Sequence, residues 1–271
     1  MRLVVLYRAS EFDDIELTAA TDAGFFCTSS RMHIQPGDLV VGRYSVLPFY
    51  REQEEDIEIA GARLINTIGQ HGYIADMQNW IEDLKDLTPE TWFRLEDVPK
   101  DGPGSFVLKG ATNSKKQAWS TSMFARDYAA ASTVYSRLCD DGFIGTQPIY
   151  IRRYVPLVRL GEAIGGLPLT KEFRFFVCNG EVLAGGFYWA AFQEDIVEQG
   201  GVIPDITEVP SAFLEEAVRR VKDHAPFVVI DVAQTETGEW IVIELNDGQM
   251  SGLSAVDPKV LYRRLHEVLS A

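Results

Sequence analysis

Residues 227–252 read FVVIDVAQTETGEWIVIELNDGQMSG. Two runs rich in β-branched and aromatic residues, 227–233 and 240–245, flank a polar segment ending in Gly238 and Glu239, a pattern that predicts an antiparallel strand pair. A turn centred between Glu236 and Thr237 sets Asp231 opposite Val242. Because side chains alternate along a strand, Val242, Glu244 and Asn246 then share the face of Asp231, and Ile241, Ile243 and Leu245 take the other. A slip of one residue would separate them. Two carboxylates and an amide oxygen converging from apolar strands are costly to bury unless a cation neutralises them. Hard oxygen donors suit Mg²⁺, which completes its octahedron with water and phosphate. Spacing alone leaves a second reading open, in which Asp231 is a solvated rim residue and Glu244 to Gly248 is a strand running into a turn.

Outward from this pair the punctuation continues. Upstream, β-rich runs at 172–178 and 181–187 flank Asn179-Gly180, a strong hairpin signal. A helix is predicted at 211–224, and Asp257-Pro258 offers an N-cap followed by proline for a last one. Residues 148–155 read as a strand, and Phe124, Tyr128, Ala131, Tyr135 and Leu138 fall on one face of a helix stopped by Gly142. A strand at 105–109 precedes a polar loop at 110–120, and residues 99–104 gather the turn formers of a linker. Nearer the start, 3–7 and 38–44 read as strands of a small α/β lobe. The expected organisation is therefore α+β, divided at 1–100, 101–156 and 157–271.

Composition narrows the function. The chain has 271 residues, 46% hydrophobic and 24% charged, an ordinary balance for a packed core. Its 25 basic and 40 acidic residues leave a net charge of −15, which disfavours nucleic acid and anionic membrane as partners. Cys27, Cys139 and Cys178 are scattered and odd in number, as expected of reduced thiols in a cytoplasmic protein. Apolar runs are strand-sized, which argues against a transmembrane span or export signal.

At Asp231, Glu244 and Asn246 the sequence resembles the ATP-grasp superfamily. The resemblance implies an ATP-grasp fold, two α+β lobes enclosing ATP, here preceded by a small N-terminal α/β lobe. It makes Asp231, Glu244 and Asn246 the Mg²⁺ ligands. SFVLKGATNSKK, residues 105–116, is similar to the family's strand and mobile loop, which implies that Lys109 contacts the α/β-phosphates and that Lys116 reaches them from the loop. Residues 149–155 resemble the hinge strand beside adenine, with the backbone of Tyr154 and Val155 as base-edge partners, and Glu172 stands in the place of the ribose-binding acid. Within the superfamily the likeness is to the clade marked by two arginines and one lysine, which includes the cell-division-cycle proteins that help assemble a translation initiation factor. Lys109, the Arg152-Arg153 pair of IRRYVPL, Arg174 in KEFRFFVCNGEVL and the run VIELNDGQMSGL carry it. Arg152 departs from the many ligases that have an acid beside the adenine amine.

The implied activity is an ATP- and Mg²⁺-dependent carboxylate–amine ligase working through an acyl phosphate on a small acid or peptide. Arg174 and Lys109 are its catalytic residues, with Arg174 on the γ-phosphate or the acyl phosphate. Small-molecule or peptide carboxylates and amines are the implied substrates. The clade's relatives and the acidic excess also support an alternative, an ATP-binding chaperone or assembly factor for a protein partner. Taken singly, the residues keep plainer readings: Lys109 in a surface salt bridge, Lys115 and Lys116 as solvated loop charges, and Glu172 with Arg174 as a surface pair. His33, His71, His224 and His266 lack zinc-site spacing, P-loop and Rossmann motifs are absent from the sequence, and the five tryptophans read as packing residues. The loop at 110–120 is expected to be mobile without nucleotide and ordered with it.

Overall fold

The computed structural model describes residues 1–10, 13–101, 104–112 and 114–271, so the expectations resting on Gly102, Pro103 and Asn113 lie outside the described residues. The first segment runs β1 (Leu3–Tyr7), α1 (Asp14–Asp22), β2 (Phe26–Thr28), β3 (Leu39–Arg43), α2 (Tyr50–Ile59), β4 (Arg63–Leu64), α3 (Ile68–Ala75) and α4 (Met77–Trp80). Its strands form a parallel sheet in the order β2-β1-β3-β4. LVVLY in β1 is apolar on both faces because both are covered, Val4 and Leu6 packing with Tyr50 and Ile57, Leu3 and Val5 with Ala19, Ala20 and Leu265.

The second segment comprises β5 (Thr91–Trp92), β6 (Phe106–Gly110), α5 (Trp119–Ser122), β7 (Phe124–Ala125), α6 (Tyr128–Cys139) and β8 (Ile149–Arg153), with an antiparallel sheet in the order β5-β8-β6-β7. Its edge strand β5 comes from before residue 100, pairing Thr91 with Arg152 and Trp92 with Ile151. The helix predicted from Phe124 starts later. Asp127 is extended and its carboxylate accepts the Ala130 N–H at 2.8 Å, so the helix opens at Tyr128 and Phe124 instead pairs with Val107 of β6.

The third segment carries β9 (Arg159–Ala163), β10 (Leu167–Thr170), β11 (Glu172–Cys178), β12 (Glu181–Phe187), α7 (Gln193–Glu198), α8 (Ser211–Val221), β13 (Phe227–Gln234), β14 (Trp240–Asp247) and α9 (Pro258–Ser270). β9 and β10 form a hairpin, and the remaining strands form a sheet in the order β12-β11-β13-β14. Asn179 and Gly180, with φ of 48° and 81°, make the predicted two-residue turn between β11 and β12. One face of the sheet, with Phe173, Phe175, Ile230 and Val232, packs on Leu214, Ala217 and Val218 of α8. The other, with Phe176, Cys178, Phe227 and Val229, packs on the first segment and α9. Among the described residues no helix is long and apolar enough to cross a membrane.

The register of β13 and β14 differs from expectation twice. Gln234 pairs with Trp240, which moves the turn centre to Thr237, and a bulge then leaves Ile243 without a direct partner. Asp231 therefore faces Glu244 and not Val242. The bulge also breaks the alternation, so Val242 lies with Leu245 in the core and does not share the face of Glu244 and Asn246. Each difference shifts the pairing by one residue, and together they restore the parity that puts Asp231, Glu244 and Asn246 side by side.

Candidate active site

The side chains meet in the cleft between the β6–β8 sheet and the sheet of β11–β14. Lys109 leaves the end of β6 and its Nζ donates to Glu244 Oε2 of β14 at 2.6 Å, with side-chain exposures of 15% and 21%. The plain reading of Lys109 in a surface pair is thereby corrected: its partner is across the cleft. Arg174 on β11 grips Asp231 on β13 through two parallel bonds, Nε to Oδ1 at 2.9 Å and Nη2 to Oδ2 at 2.8 Å. Its third nitrogen, Nη1, donates to the Gly252 carbonyl at 2.8 Å. Arg174 thus pairs with Asp231 and not with Glu172, although Glu172 shares its strand face. Asn246 Nδ2 also donates to Asp231 Oδ2, at 3.0 Å. Both Asp231 oxygens are therefore engaged.

Lys116 is drawn in from the loop. Its Nζ donates to the Tyr188 hydroxyl at 2.6 Å and lies over the rings of Tyr188 and Trp189. It is not the solvated charge that its loop position suggests, whereas neighbouring Lys115 is half-buried and pairs with Asp141 at 2.7 Å. Burial opposes the Lys116 charge, but Tyr188, Glu244 and Glu172 outweigh it and hold the pKa above the ordinary lysine value. Burial likewise opposes ionisation of Glu244, yet Lys109 and Lys116 keep that carboxyl well below the usual range. Among the described residues Glu172 has no such partner at contact: burial pushes it up to about 8, against the pull of Lys116.

Two cavities open from this cluster. The first, about 250 Å³, is walled by Val107, Met123, Leu167, Ile241 and Ile243, with Glu172 and Thr170 on its lining. The second, about 390 Å³, is polar and is lined by Arg174, Asn246, Asp247, His71 and Tyr188. Lys109, Ser114, Lys116 and Glu244 line both.

The hinge residues divide. Tyr154 and Val155 line the first cavity, but the Tyr154 N–H donates to the Ser105 carbonyl at 2.8 Å, which removes it as a base-edge donor. The Tyr154 carbonyl and the Val155 N–H have no hydrogen-bond partner among the described residues. Arg153 lies over Trp92 and Phe106, and it lines the first cavity with Arg152. Arg152 donates to the Ile243 carbonyl at 2.5 Å and to Thr88 Oγ1 at 2.6 Å, so it braces the bulge of β14 from behind. Burial lowers its pKa to about 10, with Glu244 opposing.

Among the described residues, no three His, Cys, Asp or Glu side chains form a cluster able to hold a metal. The chemistry of the donor set nevertheless fits Mg²⁺, since Glu244, Asp231 and the Asn246 amide offer hard oxygens. Glu244 and Asn246 line the second cavity, while Asp231 lies behind them on Arg174. Sequence reasoning missed Tyr188 and Trp189, which seat Lys116, and His71, which joins Asp247 from 176 positions away. The aromatic pair after β12 was visible as Tyr188-Trp189, but nothing local marks His71.

The family model described as "ATP-grasp domain, R2K clade family 3" matches residues 99–265. No curated protein sequence matches the chain. Among solved structures, D-cycloserine synthetase DcsG is similar with a TM-score of 0.62 and 16% identity, over 98% of this chain and 99% of its own. A RimK domain ATP-grasp protein from Sphaerobacter thermophilus gives 0.58 and 13%, over 100% of each chain. The ATP-grasp ligase PsnB, complexed with a minimal precursor, Mg and ADP, gives 0.59 and 13%, over 99% of this chain and 97% of its own. At these identities the likeness is one of fold.

Proposed function

The chain belongs to the ATP-grasp domain family, R2K clade family 3, and we propose that it is an ATP- and Mg²⁺-dependent carboxylate–amine ligase. Its fold is the ATP-grasp fold over its full length. The observation that carries the reading is the sharing of Lys109, Lys116 and Glu244 by an apolar cavity and a polar one. A purine suits the first, edge-on to the Tyr154 carbonyl and the Val155 N–H, with its ribose at Glu172 and Thr170. Its phosphates then reach Lys109 and Lys116, and the second cavity is left for the molecules that react with them.

In this reading Glu244 and Asn246 would hold Mg²⁺, with Asp231, held by Arg174, as the third oxygen donor beside them. Bound there, the ion supplies neutralisation of phosphate charge. An acceptor carboxylate attacks the γ-phosphorus, the bond to the ADP oxygen breaks, and an acyl phosphate forms. An amine then attacks the acyl carbon and inorganic phosphate leaves. Positioning and charge balance dominate such transfers, and Lys109, Lys116 and Arg174 supply them.

The assembly-factor alternative has no use for a second polar cavity next to the phosphate lysines. The test is ADP release from MgATP with pooled amino acids, small peptides and polyamines. Stimulated release with a new amide product is the expected result. Stoichiometric capture of a protein partner with no stimulated release would replace ligation by the assembly role.

A further inference from the structure

The second cavity has a wall that the family model does not include. His71, on α3 of the first segment, lies outside the matched residues and lines this cavity. Its helix start is fixed by a capping box, Gln70 N–H to Thr67 Oγ1 at 3.2 Å and Thr67 N–H to Gln70 Oε1 at 2.8 Å. The ring stacks on Tyr50 with centroids 4.5 Å apart and 20° between planes. Its Nδ1 is 3.1 Å from Asp247 Oδ2.

Those contacts set the chemistry of the other nitrogen. A carboxylate only accepts, so Nδ1 carries the hydrogen, and in the neutral ring that tautomer leaves the lone pair on Nε2. Asp247 cannot turn away to take another ligand. Its Oδ1 accepts Asn66 Nδ2 at 2.8 Å and the Gln249 N–H at 3.0 Å, and its Oδ2 also accepts the Tyr50 hydroxyl at 3.2 Å. Among the described residues no buried side-chain nitrogen or oxygen lacks a partner, and no described group bonds Nε2, so this atom is open to the cavity. The same cavity is lined by Lys109, Lys116 and Arg174, which can meet a carboxylate although Lys109 also pairs with Glu244 and Arg174 with Asp231, and by Met77 and Trp80, an apolar wall.

We propose that His71 Nε2 is the amine-recognising acceptor of this cavity, and that the ligand it selects is a free amino acid, its amine on His71 and its carboxylate toward the lysines and Arg174. The proposal rests on the ligase reading for the role of that ligand as a substrate. It deepens that reading by naming a specificity-determining residue and a substrate class.

Calorimetry on the full chain tests it, with the standard amino acids in both enantiomeric forms as probes, each beside its N-acetylated counterpart, in the presence of MgADP. The expected result is that at least one free amino acid binds and that N-acetylation weakens it at least tenfold. His71→Phe keeps the ring stack but has no acceptor, so it should lose the same factor and erase the N-acetyl penalty. His71→Gln, which offers an amide N–H to Asp247 and an oxygen to the amine, should restore binding to within a few-fold. Unchanged affinity in His71→Phe, or binding by none of the probes to the parent, overturns the proposal. MgADP affinity is read in the same runs: its retention in each variant reports a folded cleft, and its absence in the parent defeats the ligase reading instead.

Discussion

Glu172 accepts a hydrogen bond from Thr170 Oγ1 at 3.3 Å and is buried beside the apolar cavity, where its carboxyl is raised to about 8. In the unfolded chain it titrates near the ordinary value, so between roughly pH 4.5 and pH 8 the folded state holds the extra proton. Stability from this group is complete below that window and falls as pH rises through it. Glu172→Gln should therefore flatten the fall of Tm between pH 5 and pH 8 and raise Tm at pH 8 by on the order of 5 °C. Thermal unfolding across that range checks it, and a parallel pH profile in the variant would contradict it. Lys109 makes a different prediction, because its loss leaves Glu244 without its nearest cation. Lys109→Met should weaken MgATP at least tenfold by calorimetry. These two residues were singled out by the resemblance of their segments to the family, while their local spacing alone suggested surface ion pairs. His71 was not, since only the closed fold brings it to Asp247.

At the scale of elements, the segment after β6 and the β9–β10 hairpin act together. Lys116 to Ala118 form a single helical turn, continued by α5, and the hairpin tip turns at Gly165 with φ of 80°. A Cβ on Gly165 would lie 2.5 Å from the Gln117 carbonyl, so the tip fits beneath the loop only as glycine. Gly165→Ala should lift the loop and weaken ATP several-fold while leaving AMP nearly unchanged. Lys116→Ala should show the same selectivity. Protection from proteolysis after Lys115 and Lys116 by MgATP is the independent check that the loop closes on phosphate, and equal cleavage with and without nucleotide would count against it. The β13–β14 pair shows how far an element can be read in advance. Its strands follow from the β-rich runs and the shared face of Asp231, Glu244 and Asn246 was expected, but the pairing of Asp231 with Glu244 arises from a shifted turn centre and from the bulge at Ile243, which Arg152 stabilises through the Ile243 carbonyl from a strand 91 positions away. The start of α6 was misplaced for a local reason, the capping carboxylate of Asp127 outweighing the helical spacing of Phe124.

Across the whole molecule, one arginine ties the ends of the chain to the site. Arg43 on β3 pairs with Glu16 of α1 at 2.6 Å, bonds the Tyr262 hydroxyl of α9 at 3.1 Å, and donates to the carbonyls of Gly248 at 2.5 Å and Ser251 at 2.9 Å. The loop after β14 is thus held at one side by Arg43 and at the other by Arg174 through Gly252. Removing Arg43 leaves Glu16 buried with, among the described residues, only the Tyr262 hydroxyl, so Arg43→Met should cost about 3–5 kcal/mol of stability in denaturant unfolding. Nothing in the spacing of Glu16, Arg43 and Tyr262 announces this group, which exists only because α9 packs on α1. Two strands of the first lobe and the two hairpins of the third sheet were readable from strand patterning, whereas the parallel pairing of the first sheet, the joining of the hairpins through β11 and β13, and the docking that encloses the second cavity were not. Ligation in this cleft depends on Glu244 serving Mg²⁺ and nucleotide together. Titration calorimetry of ATP, with and without Mg²⁺, into the parent and into Glu244→Ala tests that most directly. Mg²⁺-dependent binding in the parent, weakened at least tenfold in a folded Glu244→Ala, is the predicted result; equal affinity in the two proteins, or no Mg²⁺-dependent binding by the parent, would contradict it.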